Sequence, residues 1–453
     1  MNLHRLLRQR ADEGRPVRVG VIGTGKFGSM FLAQARTTTG LHLMAVADLD
    51  PERARAALTN TGWPAERIGA PSFAAAYETG ATHVTDDGAA LIAADGMDVV
   101  IDATGSPSAG LRHARLCVTH GRHMVNVTVE ADAIAGPLIA REMERAGLVY
   151  SMAYGDQPAI VCEMVDWARG SGFEVVAAGK GTKYMPEYHA STPDTVWGYF
   201  GITPEAAAAG GMNPQMFNSF IDGTKSAIEM AAISNATGLR APNDGLRFPP
   251  ASVDELPTVL RPESDGGCLS HKGQVEVVTC VYRDGRPIPG DLRWGVYVVF
   301  EAPSDYTARC FGEYGMATDP SGQVSALYRP YHLIGLELGI SVASAALRGE
   351  PTGAPTAFNS DVAAVAKRDL VEGDVLDGEG GYTVWGKIMS AGDSLARGAL
   401  PLGLAHGLKV TRPVRMGEVV RWTDVEVDET DGAVRVRRDM EAAFAPERSE
   451  AAE

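Results

Sequence analysis

The sequence predicts an α/β protein with three parts: a doubly wound parallel sheet, an α+β middle domain and a small mostly-β C-terminal module. Three observations predict this. Short β-branched apolar runs alternate with helical stretches up to about residue 150, the pattern of a parallel sheet covered on both faces. From Gly155 the alternation gives way to longer helical stretches and β-rich segments. After the linker-like GEPTGA at 349–354, short β-type segments are separated by glycine-rich turns. The expected boundaries are 1–154, 155–350 and 355–440, followed by an Ala- and Glu-rich disordered tail at 441–453.

Residues 17–22 (VRVGVI) read as the first buried strand and 41–47 (LHLMAVA) as the second, with a helix over 30–35 between them. Residues 51–58 open the next helix with Pro51 in its first turn. Further strands are expected at 97–103 and 123–129, with a helix at 113–119. In the middle domain, 158–169 reads as a helix, 174–178 as a strand and 204–239 as mostly helical. Residues 275–282 and 295–301 are β-rich, and 331–348 reads as one long helix of small residues. Segments 361–366, 382–385 and 408–411 are the strands expected in the last module.

Composition excludes several classes. The chain has 453 residues, 41 Lys+Arg against 57 Asp+Glu and a formal net charge of −16. Such an acidic balance disfavours nucleic acid or an anionic membrane as partner. Five cysteines, odd in number and without C-x-x-C, suggest reduced thiols rather than disulfides or a zinc site. Residues 1–18 carry charge throughout and lack a signal-peptide run, and the apolar stretch 333–347 is short and contains Glu337. The expectation is a cytoplasmic protein.

Gly23-Thr24-Gly25-Lys26-Phe27-Gly28 follows the first strand and opens a helix, and Asp48 ends the second strand 20 residues after Gly28. This is the full context of a dinucleotide-binding Rossmann fingerprint. Asp48 suits the ribose hydroxyls of NAD(H), while Arg53 and Arg55 offer charge to the 2′-phosphate of NADP(H); the choice stays open. Thr104 and Gly105, and Asn126, Thr128 and Glu130, follow later strands and are placed where the cofactor crosses the sheet edge; a plain strand-to-helix turn is the alternative.

Three motifs in the middle domain are candidates for chemistry. Lys180 and Lys183 lie among glycines in GKGTKY, expected as a loop that cradles an anion, with His189 close behind. In DGTKSAIE, Lys225 and Glu229 stand at i and i+4 and share a helix face beside Asp222, so a lysine near a carboxylate can polarise a carbonyl or relay a proton. In YRPYH, Arg329 suits a phosphate bidentately and His332 an acid/base role. A solvated basic turn, a surface ion pair and a hydrogen-bonded histidine are the respective alternatives. Asp222, Glu229 and Glu187 are the carboxylates available to a divalent metal, but no compact ligand spacing appears, so no metal site is assigned.

ADLDPERAR, DATGSP, GDQPA (155–159), GKGTKYMPEYH and DGTKSAIEMA together resemble the homoserine-dehydrogenase-like NAD(P)-dependent oxidoreductases. The resemblance is strongest to the 1-deoxy-D-xylulose 5-phosphate reductoisomerase-like (DRL) branch. KRDLVEGDVLDGEG (367–380) and LPLGLAHGLKVTRPVRMGEVV (400–420) resemble a SAF-type module, which that branch also carries. The resemblance implies a homodimer whose middle domain is catalytic and dimerising, and NADPH-dependent conversion of 1-deoxy-D-xylulose 5-phosphate to 2-C-methyl-D-erythritol 4-phosphate. Lys183, Arg329 and His332 would then clamp the phosphate, and Lys225 with Glu229 and Asp222 would serve the carbonyl end. A dehydrogenase acting on a hydroxy acid or aldehyde without rearrangement, and a non-catalytic dinucleotide-binding protein, are the other readings the motifs allow.

Overall fold

The computed structural model describes residues 2–445. Strands β1 (Val17–Ile22), β2 (Leu41–Ala47), β3 (Ile68–Ala70), β4 (Thr82–Thr85), β5 (Val99–Asp102), β6 (His123–Asn126) and β7 (Tyr150–Met152) form one sheet, ordered β3-β4-β2-β1-β5-β6-β7. Every pairing in it is parallel. Val17, Val19 and Val21 enter the core on one face with Phe31 and Leu43; Ile22 joins Met44, Leu91 and Val100 on the other. Both faces are therefore dry, as the β-branched runs predict. Strand order reverses at β1, and Ile22 pairs with both Ala47 and Asp102. Gly23, Asp48 and Thr104 consequently emerge beside one another at the C-terminal edge, the place where open α/β sheets bind ligands.

Two late helices complete this domain. Gly339–Arg348 puts Val342 and Ala343 into the first core, and Gly432–Phe444 puts Ala433, Val434, Val436 and Met440 into the second. Both differ from expectation. The helix expected over 331–348 begins only at Gly339, because Gly335 takes φ +80° and the Glu337 carboxylate accepts the Leu333 N–H at 3.2 Å, closing a turn. The tail expected to be disordered instead contributes residues 441–444 to a helix anchored by fully buried Met440; residues 446–453 of that expectation lie outside the described residues.

The middle domain carries β8 (Glu174–Thr182), β9 (Gln274–Thr279), β10 (Val296–Glu301) and β11 (Val324–Arg329) in the order β11-β10-β8-β9, parallel only between β8 and β9. Across it runs the Thr224–Thr237 helix, buried over nearly its whole length. It packs on the Val129–Arg145 and Gln157–Gly170 helices, on β9, and on the C-terminal module. That module pairs β12 (Ser360–Ala366) with β14 (Val384–Ser390) and β13 (Val375–Asp377) with β15 (His406–Lys409), both antiparallel. Among the described residues, no helix is long and apolar enough to cross a membrane.

Arg437 ties the parallel-sheet domain to the C-terminal module. Fully buried, it donates to both Asp361 oxygens (3.0 and 2.5 Å) and to the Ile134 carbonyl (3.2 Å). Removing the guanidinium leaves Asp361 charged and dry. Arg437→Met is expected to cost about 3–5 kcal/mol in urea unfolding of the full chain, and a loss below about 1 kcal/mol would contradict the clamp.

Candidate functional site

The glycine fingerprint forms a cradle. Gly23 turns at φ +97° against the Ala103 carbonyl, and a Cβ on Gly28 would lie 2.2 Å from the Gly23 carbonyl oxygen. Gly25 differs: an added Cβ there meets nothing within 4 Å. Gly25 is the N-cap of the Lys26–Ala35 helix, and no side chain caps it, so the first-turn N–H groups are left for an anion. These residues fit a dinucleotide pyrophosphate.

Asp48 is buried and bonded on both oxygens: Thr24 N–H (2.8 Å) and Oγ1–H (2.5 Å) reach one, Asp50 N–H (3.1 Å) and the Arg53 guanidinium the other. Burial pushes its carboxyl up, but these bonds outweigh it and hold the pKa below the ordinary range. The Arg53 side chain remains 59% exposed, so its charge also faces solvent. Across the crevice, Asp102 accepts from Thr104 Oγ1 (2.8 Å) and contacts His113 Nδ1 (2.6 Å), while Gly105 N–H donates to Thr128 Oγ1 (3.2 Å). This network shapes the loop expected to meet the cofactor.

Beside Thr128 the lysines are paired differently from the sequence expectation. Lys225 binds Glu130 of the parallel-sheet domain, not Glu229 one turn along its own helix. Glu229 instead binds Lys180. Lys180 is not on a loop either. β8 continues to Thr182, with Lys180 paired to Val277 on one side and Val296 on the other, and its side chain is buried. Gly179 and Gly181 permit this, because a Cβ at either would strike the carbonyl of Glu276 or Leu292. A glycine-lysine alternation read as a flexible cradle is a tightly packed strand.

Asp222 sits just before the same helix, accepts Thr224 N–H at 2.9 Å and faces Lys367 Nζ at 2.8 Å. Asp222 Oδ2 and Glu229 Oε2 meet their lysines without an aligned hydrogen bond, which leaves both oxygens open to another donor. Asp156 completes the floor: it caps the Gln157–Gly170 helix, accepting Gln157 N–H at 2.9 Å. Burial, then the facing Glu229 carboxylate, push its carboxyl up to about 6 against the pull of Lys225 and His332. Burial lowers Lys225, but Glu130, Glu379, Glu229 and Asp156 together hold its ammonium form well above the ordinary value. Further in, Asp132 accepts the Tyr150 hydroxyl at 2.6 Å, and burial pushes its carboxyl up to about 7.

The residues expected to bind substrate each take partners of their own. Lys183 Nζ donates to the Tyr199 carbonyl at 2.6 Å and has no carboxylate partner among the described residues. His332 Nδ1 is bonded to the Trp294 carbonyl at 2.8 Å, so Nδ1 is the donor and Nε2 is left available. Arg329 is not a free phosphate ligand, because Glu337 holds its guanidinium. His189 is tied on both nitrogens, to Tyr184 Oη (2.8 Å) and the Asp222 carbonyl (2.7 Å), and stacks on Trp385 at 3.8 Å. It braces the Asp222 turn. Among the described residues, no group of three or more His, Cys, Asp or Glu is arranged to hold a metal ion.

Sequence reasoning gave no role to Asp156, Lys367 or Glu379. All three lie inside motifs already quoted, GDQPA and KRDLVEGDVLDGEG, but their convergence depends on tertiary packing.

With this geometry in view, residues 155–338 match the family described as oxidoreductase DRL, catalytic domain. Residues 17–130 match the oxidoreductase family (GFO/IDH/MocA), NAD-binding Rossmann fold. The chain thus carries a region similar to NAD-binding Rossmann domains of oxidoreductases, followed by one similar to the DRL catalytic domain. A comparison with curated proteins returns no match. Among solved structures, a probable dehydrogenase from Thermotoga maritima is 14% identical over 74% of this chain and 90% of that one, with TM-score 0.37. A myo-inositol dehydrogenase from Lactobacillus casei, in complex with NAD(H) and myo-inositol, is 14% identical over 63% and 71%, with TM-score 0.35. A 3-ketoreductase from Actinomadura kijaniata is 14% identical, over 38% of this chain and about half (49%) of its own, with TM-score 0.27. Likenesses this distant say nothing about the substrate.

The cradle separates two glycine variants. Gly28→Ala is expected to lower the melting temperature, whereas Gly25→Ala keeps it and weakens NADPH binding at least about tenfold by fluorescence titration, because its methyl occupies the pyrophosphate's approach. Unchanged affinity in Gly25→Ala would contradict the placement of the cofactor.

Proposed function

We propose that the protein is an NADP(H)-dependent reductase of a small phosphorylated ketose, and within that class the reductoisomerase that converts 1-deoxy-D-xylulose 5-phosphate to 2-C-methyl-D-erythritol 4-phosphate. The observation that carries the reading is Lys225, a charged amine held by Glu130 where the dinucleotide edge meets the catalytic helix. A bound nicotinamide supplies hydride. Lys225 hydrogen-bonds the substrate carbonyl, steadies the charge that develops on its oxygen, and gives that oxygen a proton. In the rearrangement a carbon–carbon bond to the carbinol carbon breaks as the migrating carbon joins the ketone carbon. The carbinol hydroxyl becomes the aldehyde and returns its proton to Lys225, and Lys225 then protonates the aldehyde oxygen as hydride reaches its carbon.

For the substrate's phosphate the available donors are Lys183, which has only a carbonyl partner, and His332, which keeps Nε2 available. For the cofactor, Arg53 supports NADP(H): it neutralises Asp48 and presents exposed charge where a 2′-phosphate would lie. The resemblance to the DRL branch supports the ketose phosphate as substrate.

Incubation with 1-deoxy-D-xylulose 5-phosphate is expected to oxidise NADPH and yield the branched polyol phosphate by mass spectrometry. Consumption of NADPH with an unbranched product would instead indicate reduction without rearrangement. Lys225→Met is expected to lower kcat by about 10²–10⁴-fold while leaving NADPH affinity unchanged. Arg53→Ala is expected to weaken NADPH at least about tenfold and NADH much less, the scale of one charge-assisted hydrogen bond. Equal losses for both cofactors would overturn the assignment of the 2′-phosphate to Arg53.

A further inference from the structure

The C-terminal module lies beyond the matched catalytic region, which ends at residue 338, yet it holds the turn that leads into Lys225. Its β13–β14 turn docks on the Pro214–Ile221 helix, where Gln215 Nε2 donates to the carbonyls of Asp377 (2.8 Å) and Glu379 (3.0 Å) and Asn218 Nδ2 to that of Gly380 (2.9 Å). That helix runs into Asp222-Gly223-Thr224, with Gly223 at φ +90° and both Asp222 and Thr224 fully buried. Three groups of the module converge on these residues. Gly386 N–H, from β14, donates to Thr224 Oγ1 at 2.8 Å. A Cβ on Gly386 would lie 2.6 Å from Leu402 and 3.2 Å from the Thr224 methyl, so only glycine fits. Trp385, one residue earlier, stacks on His189 with ring centroids 3.8 Å apart, and His189 Nδ1 donates to the Asp222 carbonyl at 2.7 Å. Lys367 follows β12 directly, and its side chain is 2% exposed. Its Nζ donates to the carbonyls of Ser191 (2.8 Å) and Gly381 (2.7 Å) and lies 2.8 Å from Asp222 Oδ2.

Among the described residues, Lys367 is the one cation within ion-pair distance of Asp222. A carboxylate with no exposed surface needs such a partner, or its turn must open to reach water. Thr224 and Lys225 are the first two residues of the Thr224–Thr237 helix, so a shift of the turn moves the backbone that carries Lys225. The module also touches the other half of the Lys225–Glu130 pair. Gly403 packs against Ile134, one turn along from Glu130, and a Cβ on Gly403 would lie 2.6 Å from the Ile134 side chain. We propose that Lys367 is a positioning residue for Lys225, acting through the Asp222–Thr224 turn, and that the C-terminal module is thereby a working part of the active site. Lys225 is fixed from two directions, its backbone by the module and its ammonium by Glu130 of the parallel-sheet domain. Lys367 commits its own donors to the protein and takes no part in proton transfer. Its effect is geometric: misplacing a reacting group by about 1 Å costs on the order of 10²-fold in rate.

The inference rests on the reductase reading for its effect on rate, but the placement of Lys225 has a readout of its own. Full-length wild type, Lys367→Met, Thr224→Val and Lys387→Met are labelled with acetic anhydride at about pH 9, and modification of Lys225 is quantified by peptide mass spectrometry against Lys272. Thr224→Val keeps the side chain's shape and removes the acceptor for Gly386, so it decides the question if Lys367→Met does not fold. Lys387→Met cuts a tie of β14 to Asp244 (2.6 Å) that does not involve the turn. Once released, Lys225 pairs less well with Glu130 and is expected to label about tenfold more in Lys367→Met and about threefold more in Thr224→Val. With 1-deoxy-D-xylulose 5-phosphate, kcat is expected to fall at least about tenfold and about threefold respectively, at unchanged KM and NADPH affinity. A merely structural lysine would lower the melting temperature and leave labelling and kcat where they were. Lys387→Met is expected to match wild type in both readouts. Wild-type labelling, or wild-type kcat in an active protein, overturns the proposal when seen in Lys367→Met, or in Thr224→Val if the former does not fold. So does a loss in Lys387→Met as large as in Lys367→Met, which makes anchoring of the whole module the cause. A labelling change in a protein that reduces no ketose phosphate sinks the reductase reading and leaves the positioning standing.

Discussion

The ion pair between Lys225 and Glu130 is the constraint on which the rest depends. It joins the edge of the parallel sheet to the first turn of the helix that crosses the catalytic domain. Charges placed so far from bulk water are tolerated only when paired or neutralised. Around this pair the structure gathers Lys180 and Lys367 with Asp156, Asp222, Glu229 and Glu379. Carboxylates outnumber lysines there, and burial raises the carboxyls of Asp156 and Glu379, the direction that eases the crowding of negative charge.

Much of the nucleotide-binding half was legible in the sequence. VRVGVI, the glycine loop and Asp48 are contiguous signals, and each reports local geometry: a dry strand, a tight turn, an acid at the next strand's end. The catalytic half was less legible because its pairings are tertiary. Spacing at i and i+4 put Lys225 with Glu229, but Glu229 faces β8 and Lys225 faces the other domain. Glycines flanking Lys180 look like a loop in isolation; they are required because β9 and the Leu292 carbonyl crowd β8. Arg329 and Glu337 are eight residues apart, and only the turn at Gly335 brings them together.

The end of the chain shows the same limit. Residues 441–453 are Ala- and Glu-rich and read as a tail with little to bury, yet 441–444 extend the Gly432–Phe444 helix, one face of which completes the second core, with Arg437 held by Asp361. This helix spans the parallel-sheet domain and the C-terminal module, and the Gly339–Arg348 helix covers the opposite face. The three parts expected from composition are therefore bound to one another by elements distant in sequence. That is why the β13–β14 turn can dock on the Pro214–Ile221 helix, more than a hundred residues earlier.

The claim at the centre is that Lys225, held by Glu130, is the group beside the reacting carbon. A crystal structure of the full chain with NADP+ tests it most directly. The account predicts the pyrophosphate over Gly25 and the nicotinamide ring against Glu130, with Lys225 Nζ within about one hydrogen-bonded substrate atom of the ring's reactive carbon. A nicotinamide lying on the far side of β1, with Lys225 and Glu130 still paired and out of its reach, would contradict it.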